Sequence, residues 1–491
     1  MGPDRSQAQD VRAARVAAAV VFAQEKASGM SDYLDHIARK LSSVPATGIV
    51  SGFSIPDSLF WHQSALTAWA LRRGRAAIFA DTGLGKSRMQ LAWADAVNKH
   101  TCRPVLILAP LAVAPQTVAE GREIGIEVKH CRDGMETLGQ NIVITNYDRL
   151  HRFKPDDFGA VVLDESSCIK HHDTKTLKTL LSAFRETPFK LCATATPAPN
   201  DWTELGTHAE FLGVCTRQEM LAEYFTHDGG DTSVWRLKGH ARHIFWQWVS
   251  QWGAMVGKPS DLGFDDTLYE LPPLRLHEHT VKTEMPANEG MLFADEAQTL
   301  SERRNARRFS VADRVAECAA MVNADAEPWV VWCDLNAEGD ALTKSIPGAV
   351  QIAGADPAEV KEQRLVDFAS GKFRVLVSKP SICGFGLNWQ HCARMAFVGV
   401  TDSFEAYYQA VRRCWRFGQK RDVHVHVFAS SAEGAVVANL KRKERDAALM
   451  TESLSAETRD AVMQEVTGTK RSTNLYNAEH RVKVPTFLES T

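Results

Sequence analysis

The sequence predicts an α/β protein made of two units, each a parallel sheet wound with helices. Two observations carry that prediction. Between residues 51 and 205, short apolar runs ("AAIFA", "PVLILAP", "NIVITNY", "GAVVLDE", "KLCATATP") alternate with helical stretches. Runs this apolar suit strands covered on both faces, which is the condition of a parallel sheet. The alternation lapses near 206 and resumes with "LRLHEHTVK", "PWVVWCD", "GAVQIAG", "FRVLVSK", "RMAFVGV" and "DVHVHVFAS". A chain of 491 residues, 44% of them hydrophobic, agrees with this division, because a single core stops growing at about 250 to 300 residues.

In chain order, residues 1–50 have a helical pattern closed by the breaker cluster "VPATG" and form an N-terminal extension. The Ala-rich run near Val16 follows acidic residues and reads as an amphipathic helix, not a signal peptide. The first unit spans 51–205. A stretch from 206 to 270 has another texture, with Trp235, Trp246, Trp248 and Trp252 among arginines and histidines. It is expected to be a helical, Trp-rich insertion whose tryptophans pack rather than stack on bases. The second unit spans 271–430, and 431–491 is a long charged helix with a polar tail, expected to brace both units. No run is long enough to cross a membrane.

Charge and cysteines bound the partners. A formal net charge of -3 gives no global positive field, so any nucleic-acid surface is a local patch. The 10 cysteines are scattered without C-x-x-C spacing, as expected of reduced thiols in a cytoplasmic protein. His424 and His426 share one strand face; with no Cys or carboxylate at ligand spacing, they are expected to be structural.

The chemistry begins at "ADTGLGKS", residues 80–87, a P-loop with Ala80 at its first position, between an apolar strand and a helix. Thr82, Gly83 and Gly85 let backbone N–H groups curl around phosphate oxygens, Lys86 reaches the β- and γ-phosphates, and Ser87 ligates Mg²⁺. A second apolar strand ends in "LDESS", offering Asp164 for the metal and Glu165 to direct water. Far along the chain, "YYQAVRRCWRFGQK" packs Arg412, Arg413 and Arg416 beside Trp415 and Phe417. That is costly for a merely solvated helix face, and an arginine that stabilises a transferring γ-phosphate needs such a setting.

Taken in order, these segments resemble the Swi/Snf-like ATPases of helicase superfamily two, whose cores are two RecA-like lobes. The resemblance covers roughly residues 58 to 430. "FWHQSALTAWAL" is similar to the adenine-reading segment, with Gln63 placed on the base. "LILAPLAVAPQ" and "VITNYDRL" resemble motif Ia and the strand and turn after it, "LDESSCIK" the D-E-A-H box, and "ATATPAPN" motif III. "VLVSKPSICGFGLNW" resembles motif V, which places Gly386 near the nucleotide, and "QAVRRCWRFGQ" resembles motif VI. The resemblance makes Lys86, Asp164, Glu165, Arg413 and Arg416 catalytic, with Arg412 at a position usually small. Ser167 replaces the His of D-E-A-H, and Ala195 replaces a glycine.

What the resemblance implies about function is an ATP- and Mg²⁺-dependent motor on double-stranded or forked DNA. Asn146, Tyr147, Asn200, Lys379 and Asn388 would then touch nucleic acid. The brevity of the chain fits a minimal, monomeric motor of the kind bacteria and their phages carry, cytoplasmic in the host, serving replication, recombination or fork remodelling. Two other readings stay open: a strand-separating helicase on DNA or RNA, and an ATP-dependent DNA-binding subunit for a partner nuclease or methylase.

Overall fold

The computed structural model describes residues 44–110, 113–228, 231–281, 308–383, 388–399, 403–430 and 434–467. Most of the expected N-terminal extension, Gly386 and the polar tail after 467 lie outside the described residues.

The first lobe is a parallel sheet built from β1 (Arg75–Ala80), β2 (Val105–Ala109), β3 (Lys129–His130), β4 (Ile142–Asn146), β5 (Ala160–Asp164) and β6 (Phe189–Ala193). The segment 206–270 then adds helices Arg217–Tyr224 and Arg242–Val249, an antiparallel hairpin of β7 (Phe225–Asp228) and β8 (Asp231–Leu237), and β9 (Gly253–Val256). The sheet order is β3-β4-β2-β5-β6-β1-β9, so this stretch, expected as helical, also supplies the edge strand beyond the P-loop strand. The reason is local: "GAMV" is short, apolar and buried at every position, and it follows Trp252, whose ring meets Phe79 of β1 edge-on. Trp248 meets Trp252 edge-on and Trp246 packs edge-on against Trp202; Trp246 and Trp252 are buried in the core, and Trp248 and Trp202 are half-buried beside them.

Successive side chains of β1 divide between two faces. Ile78 and Ala80 join Leu66 and Trp69 of helix Trp61–Arg73 and Leu91 and Trp93 of helix Lys86–Thr101, whereas Phe79 on the opposite face packs against His208 and Trp252.

The second lobe has β10 (Leu274–Val281), β11 (Trp329–Trp332), β12 (Ala349–Ile352), β13 (Val375–Ser378), β14 (Arg394–Phe397) and β15 (Val423–Ser430), in the order β10-β15-β14-β11-β13-β12, again parallel. Helices Val311–Asn323 and Asn336–Ser345 cover one face. They are joined by an ion pair, Arg314 Nη1 to Glu338 Oε1 at 2.8 Å, whose two side chains have no exposed surface. Glu338 also accepts the N–H groups of Asp334 and Leu335 at 2.8 and 2.9 Å, so its charge is compensated at the helix start.

The long helix Gly434–Thr467 touches both lobes. Thr458 Oγ1 accepts the Met255 N–H of β9 at 2.9 Å, Lys443 donates to Asn200 at 2.9 Å, and Lys441 pairs with Glu278 of β10 at 2.6 Å. No described helix is long and apolar enough to cross a membrane.

Candidate functional site

The carboxyl ends of β5, β6 and β1 lie side by side in the sheet, which brings "DESS", "ATATP" and the P-loop to one crevice. Ligands of open α/β sheets bind at such strand ends. In the P-loop, Gly83 and Gly85 have φ of +96° and +81°, a region only glycine enters freely. Close neighbours reinforce that choice: a Cβ on Gly85 would stand 2.2 Å from Gln63 Nε2, and one on Gly83 3.1 Å from the Phe417 Cβ. Lys86 Nζ donates to the Ala80 carbonyl at 2.9 Å and more weakly to that of Asp81. Burial pushes the Lys86 ammonium pKa down, against the pull of Glu165, Asp81 and Asp164. Ser87 follows it in the first turn of the helix.

Gln63 is buried, and its amide works within the protein. Its Oε1 accepts the Phe60 N–H at 3.1 Å, and its Nε2 donates to the Leu84 carbonyl at 3.0 Å, so it splints the P-loop to the start of helix Trp61–Arg73. Aromatic rings gather nearby: Tyr269 meets Phe60 and His62 edge-on and lies 4.9 Å from Phe417, which rests on Gly83. Sequence reading missed Tyr269, which carries no motif and reaches the site only because the connection between the lobes runs past it.

Asp164 ends β5 and accepts a hydrogen bond from Gln90 Nε2 at 2.7 Å. Its carboxyl is pushed up to about 6, first by burial and then by Glu165 beside it. Glu165 stands at φ +51°, a left-handed conformation that is unfavourable for a non-glycine residue and characteristic of strained functional positions. Its Oε2 accepts from Thr194 Oγ1 at 3.3 Å and from Gln409 Nε2 of the second lobe at 3.4 Å. Glu165 thus touches the "ATATP" segment through Thr194. Ser167 is buried, while its neighbour Ser166 meets His208 Nε2 at 3.1 Å. Burial holds His208 down at about 4, so that it is neutral at physiological pH.

The second lobe closes onto this crevice through helix Phe404–Val411 and the turn after it. Tyr408 Oη and Arg412 Nη2 both bind the Asp81 carboxylate, Arg412 also donates to the Thr82 carbonyl at 2.9 Å, and Lys170 pairs with Glu405. Arg413 is buried, donates its Nε to the Gln409 carbonyl at 3.1 Å, and is pulled down to about 10 by burial. Arg416 is pulled down to about 9 by burial and by Arg413 and Arg412, and its buried Nε has no hydrogen-bond partner among the described residues. Gln419 holds the turn in place, donating to the Gln390 and Cys392 carbonyls at 3.0 Å each, while Trp415 Nε1 donates to the Pro272 carbonyl at 2.7 Å. A desolvated lysine, a carboxylate pair and an orphaned guanidinium N–H form a donor set that fits a nucleotide triphosphate with a hard divalent cation.

The expected nucleic-acid residues fare differently. Asn146 caps the turn at Tyr147–Arg152 by accepting the Arg149 N–H at 3.1 Å, and Tyr147 Oη donates to the Asp164 carbonyl at 2.7 Å. Asn200 donates to Glu204 at 2.9 Å and accepts from Lys443. All three side chains are thus engaged internally. Lys379 and Asn388 flank the motif V loop, and Asn388 Oδ1 is buried without a hydrogen-bond partner among the described residues.

The DEAD/DEAH box helicase family matches residues 61–205, and the helicase conserved C-terminal domain matches residues 330–418, one in each lobe. The chain thus carries a DEAD/DEAH box helicase domain followed by a helicase C-terminal domain. A probable ATP-dependent DNA helicase of Arabidopsis thaliana, CHR12, is 32% identical over 157 residues; the match spans 28% of this chain and 14% of that relative. The structure of Saccharomyces cerevisiae Dbp5 bound to RNA and ADP BeF3 aligns with 81% of this chain and 94% of its own at 12% identity and a TM-score of 0.51, a likeness of fold. The Sulfolobus solfataricus SWI2/SNF2 ATPase core in complex with dsDNA covers 86% and 98% of the two chains at 16% identity and a TM-score of 0.40.

Proposed function

We propose that this chain is an ATPase that moves along double-stranded DNA without parting the strands, each cycle of hydrolysis being tied to closure of lobe two on lobe one. The observation that carries the reading is the bridge from Tyr408, Gln409 and Arg412 to Asp81, Thr82 and Glu165. A nucleotide site completed by both lobes turns over only when they meet, and a track that favours the closed form accelerates hydrolysis by population shift.

In this reading Lys86 and the Thr82–Gly85 backbone hold the phosphates, and Ser87 with Asp164 holds Mg²⁺. Bound there, the ion would neutralise phosphate charge as it builds up. Glu165, oriented by Thr194, positions the attacking water and takes its proton. Arg413 and Arg416 stabilise the negative charge of the transition state, which compensates their poor solvation in the closed crevice. Gln63 fixes the P-loop and stands beside the purine, with Phe60, Tyr269 and Phe417 as the flat apolar surface for the base.

Double-stranded DNA as the track is supported by the Swi/Snf-like motif spelling and by the relative named a DNA helicase. A net charge of -3 is compatible, because phosphate grip needs only local contacts. Lys379 and Asn388 supply such contacts in lobe two, with Asn200 re-formed from its bonds to Glu204 and Lys443.

The test is steady-state ATP hydrolysis by the purified chain with no nucleic acid, blunt duplex DNA, single-stranded DNA, forked DNA or duplex RNA. Strong stimulation by duplex DNA supports the reading. Stimulation only by single strands would replace it with strand separation, and none by any substrate would make the chain dependent on a partner.

A further inference from the structure

The edge of lobe two carries a feature that the ATPase reading does not use. The strands β10 and β15, distant in sequence, pair in parallel with His277 opposite His426 and Arg275 opposite His424. The four imidazoles of His424, His277, His426 and His279 stack in that order on one face, with successive ring centroids 5.2, 4.5 and 5.3 Å apart and planes within 20° of parallel. Their nitrogens face one another: His277 Nε2 lies 3.0 Å from His424 Nδ1, and His279 Nε2 lies 3.0 Å from His426 Nδ1.

Imidazoles bonded to imidazoles need an explanation, since a histidine that only fills space is served as well by a backbone carbonyl or by water. One ligand nitrogen from each of His277, His424 and His426 lies within 4.8 Å of the others. Two nitrogens on a tetrahedral zinc, each at about 2.0–2.1 Å from it, stand about 3.4 Å apart, so a pair at 3.0 Å and a third arm close by need only small side-chain rotations. All three are half-buried, which leaves an entry path and a partly dry setting. The neighbouring cations are already paired: Arg275 with Asp422 at 3.2 Å, and Arg394 with Asp325 at 3.4 Å. Behind the group, His279 Nε2 is bonded to His426, and Glu317 Oε1 stands 3.9 Å from His279 Nδ1, within ion-pair range and a short side-chain rotation from a hydrogen bond. A carboxylate–imidazole chain behind a ligand is the usual second layer of a zinc site.

We infer that His277, His424 and His426 form a binding site for a late first-row divalent cation of the zinc class, with His279 and Glu317 orienting His426. Three imidazoles select such ions over Mg²⁺ or Ca²⁺, which want oxygen ligands, so the site is distinct in chemistry from the one at Asp164. Imidazole is largely neutral above its ordinary pKa of about 6.5 and thus has a lone pair to offer. The ion would clip β10, which among the described strands pairs with β15 alone, to the strand that leads into the long helix.

The experiment uses the full chain without an affinity tag. Co²⁺ is titrated by visible absorption, Zn²⁺ is then added as competitor, and thermal unfolding is followed with and without Zn²⁺. The expected result is one Co²⁺ per chain at micromolar concentration with intense tetrahedral bands, displacement by one Zn²⁺, and a rise of several degrees in Tm. The His277→Gln and His426→Gln variants should each lose at least tenfold in affinity together with the Tm shift, while Glu317→Gln should lose less. To avoid dependence on variant folding, Zn²⁺ should also protect these three histidines, but not the exposed His151, from carbethoxylation in the parent chain. Less than one equivalent bound at tens of micromolar, equal binding by the variants, or no selective protection would overturn the inference.

Discussion

Residue by residue, the site is governed by what burial does to charge. Lys86 and Arg416 are both poorly solvated, so removing either should act on different steps. Lys86→Ala should abolish turnover by removing the cation that reaches the phosphates. Arg416→Ala should lower kcat by about a thousandfold, the scale of a lost arginine finger, yet leave ATP binding within a few-fold; equilibrium binding of a fluorescent ATP analogue beside kcat separates the two. Normal hydrolysis by Arg416→Ala would sink the finger assignment. Asp164 gives a pH signature. Its folded carboxyl titrates at about 6, so Mg²⁺-dependent nucleotide binding should weaken as pH falls through that value. The Asp164→Asn variant should bind weakly at every pH. The same shift affects stability with the opposite sign. The folded value exceeds the unfolded value of about 3.9, so the folded chain binds the extra proton across that window and this group's contribution declines as pH rises toward about 6.

Element by element, the strongest constraints are contacts that join neighbouring pieces without touching substrate. The pair Arg314–Glu338 holds two helices to one face of lobe two with both charges out of water. Arg314→Ala should destabilise by about 3–5 kcal/mol because it strands a buried carboxylate, whereas Arg314→Met with Glu338→Leu should cost much less. Urea unfolding of the three proteins checks the contrast. Trp252 does comparable work for β9: its ring is fully buried against Phe79, and Trp252→Ala should cost about 3–5 kcal/mol. Because β9 borders the P-loop strand, that variant should also raise KM for ATP; an unchanged KM would mean that the loop keeps its shape without its edge strand.

Over the whole molecule, the two lobes meet at the nucleotide site, and the long helix spans both. Arg412 is central to that closure, since it joins Asp81 and Thr82 from the opposite lobe. Arg412→Ala should reduce the rate with duplex DNA at least tenfold and lower the unstimulated rate as well, with a lower closed fraction in a fluorescence-transfer measurement between labels on the two lobes. Full stimulation in that variant would make the contact a passive one. The lobes, their parallel strands, the P-loop and the acidic pair were legible in the sequence, because runs such as "PVLILA" and the turn chemistry of "TGLGKS" act over a few residues. What the sequence could not show depends on residues far apart meeting. Ser167 marked a departure from D-E-A-H, but that Glu165 is tied to Thr194 and Gln409 instead required the sheet to place three strand ends together. Arg412 was legible as an oddity of spelling, not as the residue that binds Asp81. Asn146 and Tyr147 matched a motif yet spend their side chains on a cap and on the Asp164 strand. Likewise His424 and His426 became part of a ligand cluster only when β10 delivered His277 beside them. The sequence by itself determined the two α/β units and the shape of the glycine-rich P-loop, because backbone propensity, hydrophobic period and glycine conformation are local. The tertiary structure alone decided which charges face which across the lobes, because such pairing is set by parallel strand order and by packing between segments hundreds of residues apart.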